Sequence, residues 1–415
     1  MASTSSSSIS AAALADPAGW AAGLPLARKA VVDTRRAVIG YALSHDAAAN
    51  DDTRLFETLQ NARADSATAT RLAFVRCSFE HMADGYLRML DPQRTVLEIA
   101  SLKRHTPEGI AIRRSMLLHA HQSGFKLAFD HAVLAPEYEL WLPLATYVAI
   151  DVESLDERAV EKLARNVFGR TKATALARNV GSAGQYEHLK SVGVKLFEGH
   201  WFAEPPIAQD KAIQTSQASV VQLLNLVLRE AEVGEIEEVL KRDPTLSFKL
   251  LHFINSPGFG LNVEISSFRH AVMTLGLSNL FRWAVLLLTT SRPGGPAPGA
   301  GTLALVRGRL MELLAEALPR EERDLAFIAG VFSMLDTLLG MPLDKALQLV
   351  NLPASVADAV VRHTGPLAPY LAIAEACETS DDAGVNAARK LLGLTNHQIN
   401  SAQLSALAWV DRVDQ

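Results

Sequence analysis

The pattern of apolar and polar positions divides the chain into two parts. In the first part, up to about residue 206, short apolar runs alternate with amphipathic segments such as 109–122 and 155–167. The runs are short, rich in β-branched or aromatic residues, and bounded by Gly, Asp or Pro, which is typical of strands. They predict strands at 30–33, 37–42, 72–77, 96–100, 126–130, 147–151, 173–178 and 194–197. Alternating strands and helices favour a mainly parallel sheet with helices outside it, and eight strands can close a barrel.

After Pro205-Pro206 the pattern predicts helices only. Ser219 resembles a cap before an apolar run, and Asp243-Pro244 is a strong helix start because Asp accepts from free N–H groups and Pro needs no donor there. A helix is expected to begin near Ser267 and end at Gly276, where a left-handed cap suits glycine. Ser278 is expected to cap the next helix, and further helices are predicted at 325–339 and 354–362. The Pro/Gly-rich segment 291–302 predicts a surface loop.

Composition narrows the class of protein. The chain has 415 residues and a net charge of −5, which argues against general nucleic-acid binding. No apolar run approaches the roughly 20 residues that span a bilayer, and the first 22 residues lack the features of a signal peptide. The two cysteines, Cys77 and Cys377, are far apart and predict reduced thiols. We therefore expect a cytoplasmic protein without a membrane partner.

Five segments of the first part, in order and at the right spacing, resemble the EAL domain, a TIM-barrel-like fold associated with cyclic di-GMP hydrolysis. KAVVDTRRAVIGYAL is similar to the opening QPIVDLxxxxVxGYELL of the variant joined to an HDOD domain, and VLEIAS is similar to its LEIxE strand. SGFKLAFDHAV and ATYVAIDV resemble GxxxALDDFG and ADxIKIDV. The fifth segment spans residues 175–206. The resemblance covers about residues 25–206.

The resemblance implies a metal site, because the family's enzymes use carboxylates and an Asn to hold a divalent metal, which activates water. Here only Glu98 and Asp130 keep the family's metal-site identities. The other positions of the motif are replaced, at Ala42, Arg76, His131, Ala149, Arg178, Gly181 and Glu198. The substitutions indicate a vestigial site without metal, cofactor or catalytic residue. Glu98 and Asp130 are then expected to form salt bridges with Arg76 and Arg178.

The second part resembles the HDOD domain, a helical relative of HD phosphohydrolases, over about residues 210–400. RDPTLSFKLLHFINSPGFG and ISSFRHAVMTLGLSNLFRWAV carry the resemblance. Metal-binding relatives have a His–Asp dyad where this chain has Ser333 and Met334. Neither is a useful ligand for a hard cation, and Asp336 cannot replace the dyad alone. The resemblance therefore implies no metal in this domain.

Three other groups of residues are weaker candidates. His119 and His121 point about 200° apart on a helix and cannot share an ion with His131. Asn255-Ser256 predicts a helix-ending cap or a polar core contact rather than a ligand site. Asp381-Asp382 is expected in an exposed loop. None of these groups predicts a metal site.

The sequence therefore predicts a multidomain protein, with a TIM-barrel-like α/β domain of EAL type followed by an all-α HDOD domain. The expected divisions are a disordered tail at 1–24, the barrel at 25–206 and the helical domain at 207–415. The expected function is a catalytically inactive bacterial adaptor or regulator that contacts other signalling proteins, with self-association left open. The alternative is a receptor that binds a cyclic dinucleotide without hydrolysing it, with Arg76 and Arg178 pairing with its phosphates. The short connection after Pro205-Pro206 predicts that the two domains pack together.

Overall fold

A computed structural model describes residues 24–45, 53–62, 71–83, 85–102, 106–203, 215–254, 267–289 and 298–413. The predicted tail and the connection between the domains thus lie almost wholly outside the described residues, and the domain boundaries stay predictions.

The first part of the chain is a closed barrel in which each strand pairs with the next and the last pairs with the first. The first strand is antiparallel to both of its neighbours, and the other six pairings are parallel. The strands are β1 Ala27–Asp33, β2 Val38–Ser44, β3 Leu72–Arg76, β4 Thr95–Ile99, β5 Lys126–Asp130, β6 Tyr147–Asp151, β7 Thr174–Arg178 and β8 Leu196–Glu198. All eight predicted strands are confirmed. Because β1 runs backwards, its first residues lie at the carboxyl ends of the parallel strands, where Ala27 faces Ser44.

Two apolar layers hold the barrel. Apolar side chains fill its interior, including Val31, Phe74, Val96 and Leu176. The opposite faces of the same strands pack under the barrel's helices, as alternation along a strand requires. These helices are α1 Thr53–Ala62, α2 Phe79–Ala83, α3 Pro107–Gln122, α4 Glu157–Arg170 and α5 Ala183–Ser191.

The second part, from residue 215, is helical wherever it is described and forms a further apolar core. Its helices are α6 Thr215–Leu228, α7 Val233–Arg242, α8 Pro244–Ile254, α9 Phe268–Thr289, α10 Pro298–Leu314, α11 Arg320–Phe332, α12 Leu335–Leu339, α13 Leu343–Gln348, α14 Ala354–Arg362, α15 Ala368–Thr379, α16 Asp382–Leu392 and α17 Asn396–Val413. The predicted fold classes of both parts are confirmed.

Several predicted helix boundaries were correct. Asp243 caps α8, where its Oδ1 accepts a hydrogen bond from the Leu246 N–H at 3.0 Å. Ser267 Oγ accepts from the His270 N–H at 3.2 Å, as a cap of α9 does. Gly276 has a φ of 75° and interrupts α9, which continues beyond it.

Other boundaries were wrong for identifiable reasons. Helix α6 begins at Thr215, before Ser219, and Ser278 donates to Asp324 on α11 rather than capping a helix. The predicted helix 325–339 is two helices, because α11 ends at Phe332 and α12 starts at Leu335. The acidic pair does not form a loop: Asp381 caps α16, in which Asp382 is the first residue.

The Pro/Gly-rich segment is also corrected, since its end, from Pro298, is the buried first turn of α10. The Gly299 N–H donates to the Arg36 carbonyl at 2.8 Å, and thus connects this turn to the barrel. A Cβ on Gly301 would lie 1.9 Å from the Thr289 carbonyl oxygen, so only glycine allows this approach. Gly299 and Gly301 therefore allow close packing and do not form a flexible loop.

Within the described residues, one helix, Arg269–Thr289, has the length and apolar composition of a membrane span. Half of its most apolar window is buried in the protein, and core helices pass the same test. It gives weak evidence for a membrane segment.

Candidate functional site

The predicted site residues meet at the barrel mouth, which we define as the carboxyl ends of β2–β8 together with the start of β1. Arg76, Glu98, Asp130 and Arg178 each lie at or next to the end of a strand. Arg76 is the cross-strand neighbour of Glu98 in the parallel register. Parallel strand ends converge at one rim, and the structure therefore brings all four predicted residues together.

An arginine joins two carboxylates in the mouth. The Arg178 Nη2 atom forms an ion pair with Glu98, and its Nε lies 3.2 Å from Glu198 Oε2. Burial raises the pKa of Glu198, against the opposing charges of Arg178 and Lys29. The described residues offer no further hydrogen-bond partner to Arg178 Nη1, and the side chain remains 27% exposed. Arg178 is thus held by two carboxylates while part of its side chain stays exposed.

The Asp130 carboxylate accepts hydrogen bonds from two backbone N–H groups. Its Oδ1 accepts from the Ala132 N–H at 2.9 Å, and its Oδ2 accepts from the Ser101 N–H at 2.7 Å. Both carboxylate oxygens are therefore engaged in capping the loops that follow β4 and β5. The prediction that Asp130 forms a salt bridge with an arginine is wrong, because these N–H groups occupy it.

A series of polar side chains linked by hydrogen bonds borders the mouth at β1. Lys29 Nζ donates to Asn179 Oδ1 at 3.0 Å, and Asn179 Nδ2 donates to Asp151 Oδ1 at 3.1 Å. Asn179 follows β7 with a φ of 55°, a left-handed conformation in which Asn is enriched. Arg76 is exposed at the opposite side of Glu98.

The mouth does not fit a divalent metal as it is described. A hard cation needs several oxygen ligands, and Glu98 is paired with Arg178 while Asp130 is held by the backbone. No group of three or more His, Cys, Asp or Glu suited to a metal occurs in the described part of the chain. His119 and His121 are exposed on α3 and do not converge.

The dyad position of the helical domain holds a buried arginine. Arg307 on α10 donates from Nη1 to Ser333 Oγ at 2.7 Å and to Glu375 Oε1 at 3.3 Å. Ser333 donates in turn to the Gly330 carbonyl at 2.8 Å. Met334 is buried in the apolar core. A fixed guanidinium therefore lies where the resemblance would place a metal ligand.

The same arginine begins a buried network that joins the domains. Arg307 donates from Nε and Nη2 to the two carboxylate oxygens of Glu378, at 3.2 and 2.6 Å. Arg28 in β1 donates from Nη2 to Glu378 Oε1 at 2.9 Å and from Nη1 to Gln403 Oε1 at 2.8 Å. We call Arg28, Arg307, Glu378 and Gln403 the interdomain network. Its members are at most 6% exposed.

Other contacts widen this interface. Gln403 Nε2 donates to the Leu26 carbonyl at 2.7 Å, and the Leu26 N–H donates to Asn400 Oδ1 at 2.8 Å. Arg71, just before β3, pairs with Asp411 on α17. The prediction that the domains pack against each other is confirmed.

Charge balance controls ionisation in the network. Burial disfavours the charged form of Glu378, but Arg307 and Arg28 outweigh it, and the pKa of Glu378 is lowered. Burial raises the pKa of Glu375, although Arg307 opposes this. Burial also raises the pKa of Cys377 to about 12, so this thiol stays protonated. Neither cysteine forms a disulfide, which agrees with the predicted reduced thiols, and both are buried.

The lowered pKa of Glu378 predicts acid sensitivity. A carboxyl whose pKa is lowered in the folded state stabilises the fold above its unfolded value, about 4.3, and loses that contribution as the pH falls further. We expect Glu378→Gln to lower the melting temperature most at neutral pH. The difference from wild type should shrink as the pH falls below about 4.3. Thermal melts of both proteins from pH 7 to pH 3 measure it; a constant difference would contradict this assignment.

Sequence reasoning missed the interdomain network. The available signal was Arg307, the first arginine of the run LALVRGRLMELL. Leu303 and Leu310 lie four residues before and three residues after it, which puts it on the same apolar helix face. A charge there indicates a buried partner. The pair Asn255-Ser256 lies outside the described residues.

A family model for the HDOD domain matches residues 215–341. The cyclic di-GMP phosphodiesterase CdgJ of Vibrio cholerae is 27% identical over 71% of this chain and 69% of its own. The uncharacterized protein YuxH of Bacillus subtilis is 26% identical over 76% and 78%, respectively. The Bacillus subtilis YkuI protein, with an EAL domain and in complex with c-di-GMP and calcium, is 17% identical with a TM-score of 0.35, covering 60% of this chain and 71% of YkuI.

These findings confirm the predicted order of fold classes, a closed α/β barrel followed by a helical region of which residues 215–341 match the HDOD model. They overturn the expectation that the chain is not an enzyme, because a curated relative of similar extent is named a phosphodiesterase. That expectation rested entirely on the replaced metal ligands, and the activity named for this relative contradicts it.

Proposed function

We propose that this chain is a regulator in cyclic di-GMP signalling, whose barrel mouth binds the dinucleotide and whose helical domain contacts another signalling protein. The interdomain network makes the two domains respond as one unit. The relative named as a cyclic di-GMP phosphodiesterase supports the ligand class. The HDOD match supports the second domain.

Two arginines at the mouth suit a phosphodiester. Arg178 is 27% exposed at the mouth, and Arg76 is exposed next to Glu98. A guanidinium presents paired N–H donors that match two phosphate oxygens. Arg178 is held in place by Glu98 and Glu198, so binding would require little reorganisation of that side chain.

The observation that carries the coupling is the pair of adjacent residues Arg28 and Lys29 in β1. Successive side chains of a strand point to opposite faces. Accordingly Lys29 contacts Asn179 in the mouth, while Arg28 contacts Glu378 and Gln403 in the helical domain. A shift of this strand at the mouth therefore moves the anchor of the helical domain.

Hydrogen–deuterium exchange of the full chain with and without cyclic di-GMP tests the proposal. We expect slower exchange at the mouth and also in α10 and α15, which carry Arg307 and Glu378. In Glu378→Gln the mouth should still respond, and the response of α10 and α15 should be lost. Glu316→Gln, an exposed carboxylate of the same domain, is the matched control.

Two results would count against the proposal. If cyclic di-GMP does not change the exchange at the mouth, the dinucleotide does not bind there. If exchange in the wild type slows at the mouth but not in α10 and α15, the two domains are not coupled. The contact of the chain with another signalling protein stays a prediction, as does a cytoplasmic location.

A further inference from the structure

A cavity of about 400 Å³ lies where the barrel mouth meets the helical domain. The loops after β6, β7 and β8 form most of its barrel side, to which Lys29 at the start of β1 also belongs. On the other side, the helical domain contributes Leu303 of α10 together with Glu378 and Thr379 at the end of α15. The helical domain thus forms one wall of a cavity that otherwise belongs to the mouth.

This wall is held firmly against the barrel. Glu378 accepts hydrogen bonds from Arg28 of β1 and from Arg307 of α10, and all three side chains belong to residues that are at most 6% exposed. Thr379 follows directly, and its Oγ1 donates to the Glu375 carbonyl of its own helix at 3.2 Å. A ligand that enters the cavity therefore meets this wall without a rearrangement of the domains.

The lining changes from apolar to polar toward the solvent. Trp201, Phe202 and Leu303 are at most 4% exposed and form its deep part. Gln185 and Thr379 are exposed and lie at the opening. Gln185 Oε1 accepts from a backbone N–H of its own loop at 2.8 Å, while its Nε2 has no hydrogen-bond acceptor among the described residues. An occupant should therefore have apolar surface on its buried side and polar groups at its edge.

The charges around the cavity balance. The two arginines of the interdomain network pair with the two carboxylates Glu375 and Glu378. Outside that network, Lys29 and Glu153 contribute one charge of each sign to the lining. The cavity therefore does not favour an anion, and an uncharged part of a ligand suits it better. A nucleobase has apolar faces, a polar edge and no charge.

The volume agrees with a base as occupant. Small-molecule sites span roughly 300–1,000 Å³, and this cavity lies near the lower end of that range. It suits one unit of a dinucleotide better than the whole molecule.

We propose that one base of the bound cyclic di-GMP occupies this cavity and packs against Leu303 and Thr379, so that the helical domain is part of the ligand-binding site. This inference rests on the proposed function, in which the phosphates meet Arg76 and Arg178. It adds a direct contact between the ligand and the helical domain to the coupling through β1.

Methyl nuclear magnetic resonance of the full chain in complex with cyclic di-GMP tests the contact. Thr379→Ser keeps the hydroxyl group but removes the methyl group, and thereby identifies the Thr379 signal. We expect nuclear Overhauser effects between the H8 proton of one guanine and the methyl groups of Thr379 and Leu303. Leu391, an exposed leucine of the same domain that does not line the cavity, should show none.

Calorimetric titration of variants gives a second measurement. Thr379→Trp should fill the cavity from the helical side and weaken the binding of cyclic di-GMP by about tenfold or more, because the added ring clashes with the base. Thr364→Trp is the matched control, since Thr364 is an exposed threonine of the same domain outside the cavity. It should bind within about twofold of the wild type. Circular dichroism checks that both variants are folded.

The outcomes separate the two proposals. If the wild type does not bind cyclic di-GMP, the proposed function is wrong and this inference falls with it. If the wild type binds but neither Thr379 nor Leu303 shows an Overhauser effect to the base, the helical domain is not part of the site, while the proposed function stands. The same conclusion follows if Thr379→Trp binds no more weakly than the wild type.

Discussion

Arg307→Ala is expected to lower the free energy of unfolding by about 3–5 kcal/mol, as removal of one partner from a buried ion pair does. Glu378 is 4% exposed and would keep only Arg28 as a cationic partner, while Ser333 and Glu375 would lose their contacts with the guanidinium. Chemical denaturation followed by circular dichroism measures the loss.

Arg320→Ala is the matched control, because Arg320 is exposed in the first turn of α11. Its effect should stay within about 0.5 kcal/mol. A loss for Arg307→Ala no larger than that of the control would show that the interdomain network contributes little to stability.

The second large effect is expected at the crossing of α10 and α11, where Gly308 and Gly330 meet. A Cβ on Gly330 would lie 2.6 Å from the Gly308 Cα, so both helix backbones block it. Gly330→Ala should therefore force the helices apart and cost about 1–3 kcal/mol or more, as overpacking does. The melting temperature of the full chain is the readout.

Gly169→Ala is the control with the opposite sign. Gly169 lies inside α4, and a Cβ there meets no atom within 4 Å. Alanine is the better helix former by roughly 0.8–1 kcal/mol, so this variant should be slightly more stable than wild type. Equal effects of the two substitutions would contradict the close helix crossing.

Much of the fold was predictable because it depends on local pattern. The strands β5 and β6 coincide with their predicted ranges, since short apolar runs bounded by polar residues leave little freedom in where they end. Helix α8 starts where Asp243 and Pro244 indicate. The first turn of α10 was mispredicted because Gly299 packs against Arg36 and Gly301 against Thr289, and the local sequence pattern does not reveal these contacts.

The candidate site, like the fold, was predictable only in part. Motif order placed Glu98, Asp130, Arg76 and Arg178 at one rim, because parallel strand ends converge there. The interdomain network was not predictable, since Arg28 and Glu378 are 350 residues apart in the chain. Activity was misjudged because lost ligands at aligned positions do not by themselves determine what a whole protein does.

The central claim is that the barrel mouth binds cyclic di-GMP, and calorimetric titration of the full chain tests it most directly. The titration is run with and without Mg²⁺, because the described mouth residues do not fit a divalent metal. We predict saturable binding in both conditions with similar affinity, and at least tenfold weaker binding in Arg178→Gln through loss of a charge-assisted phosphate contact worth about 1.4 kcal/mol or more. Absence of binding to the wild type, or binding that Arg178→Gln leaves unchanged, would contradict the account.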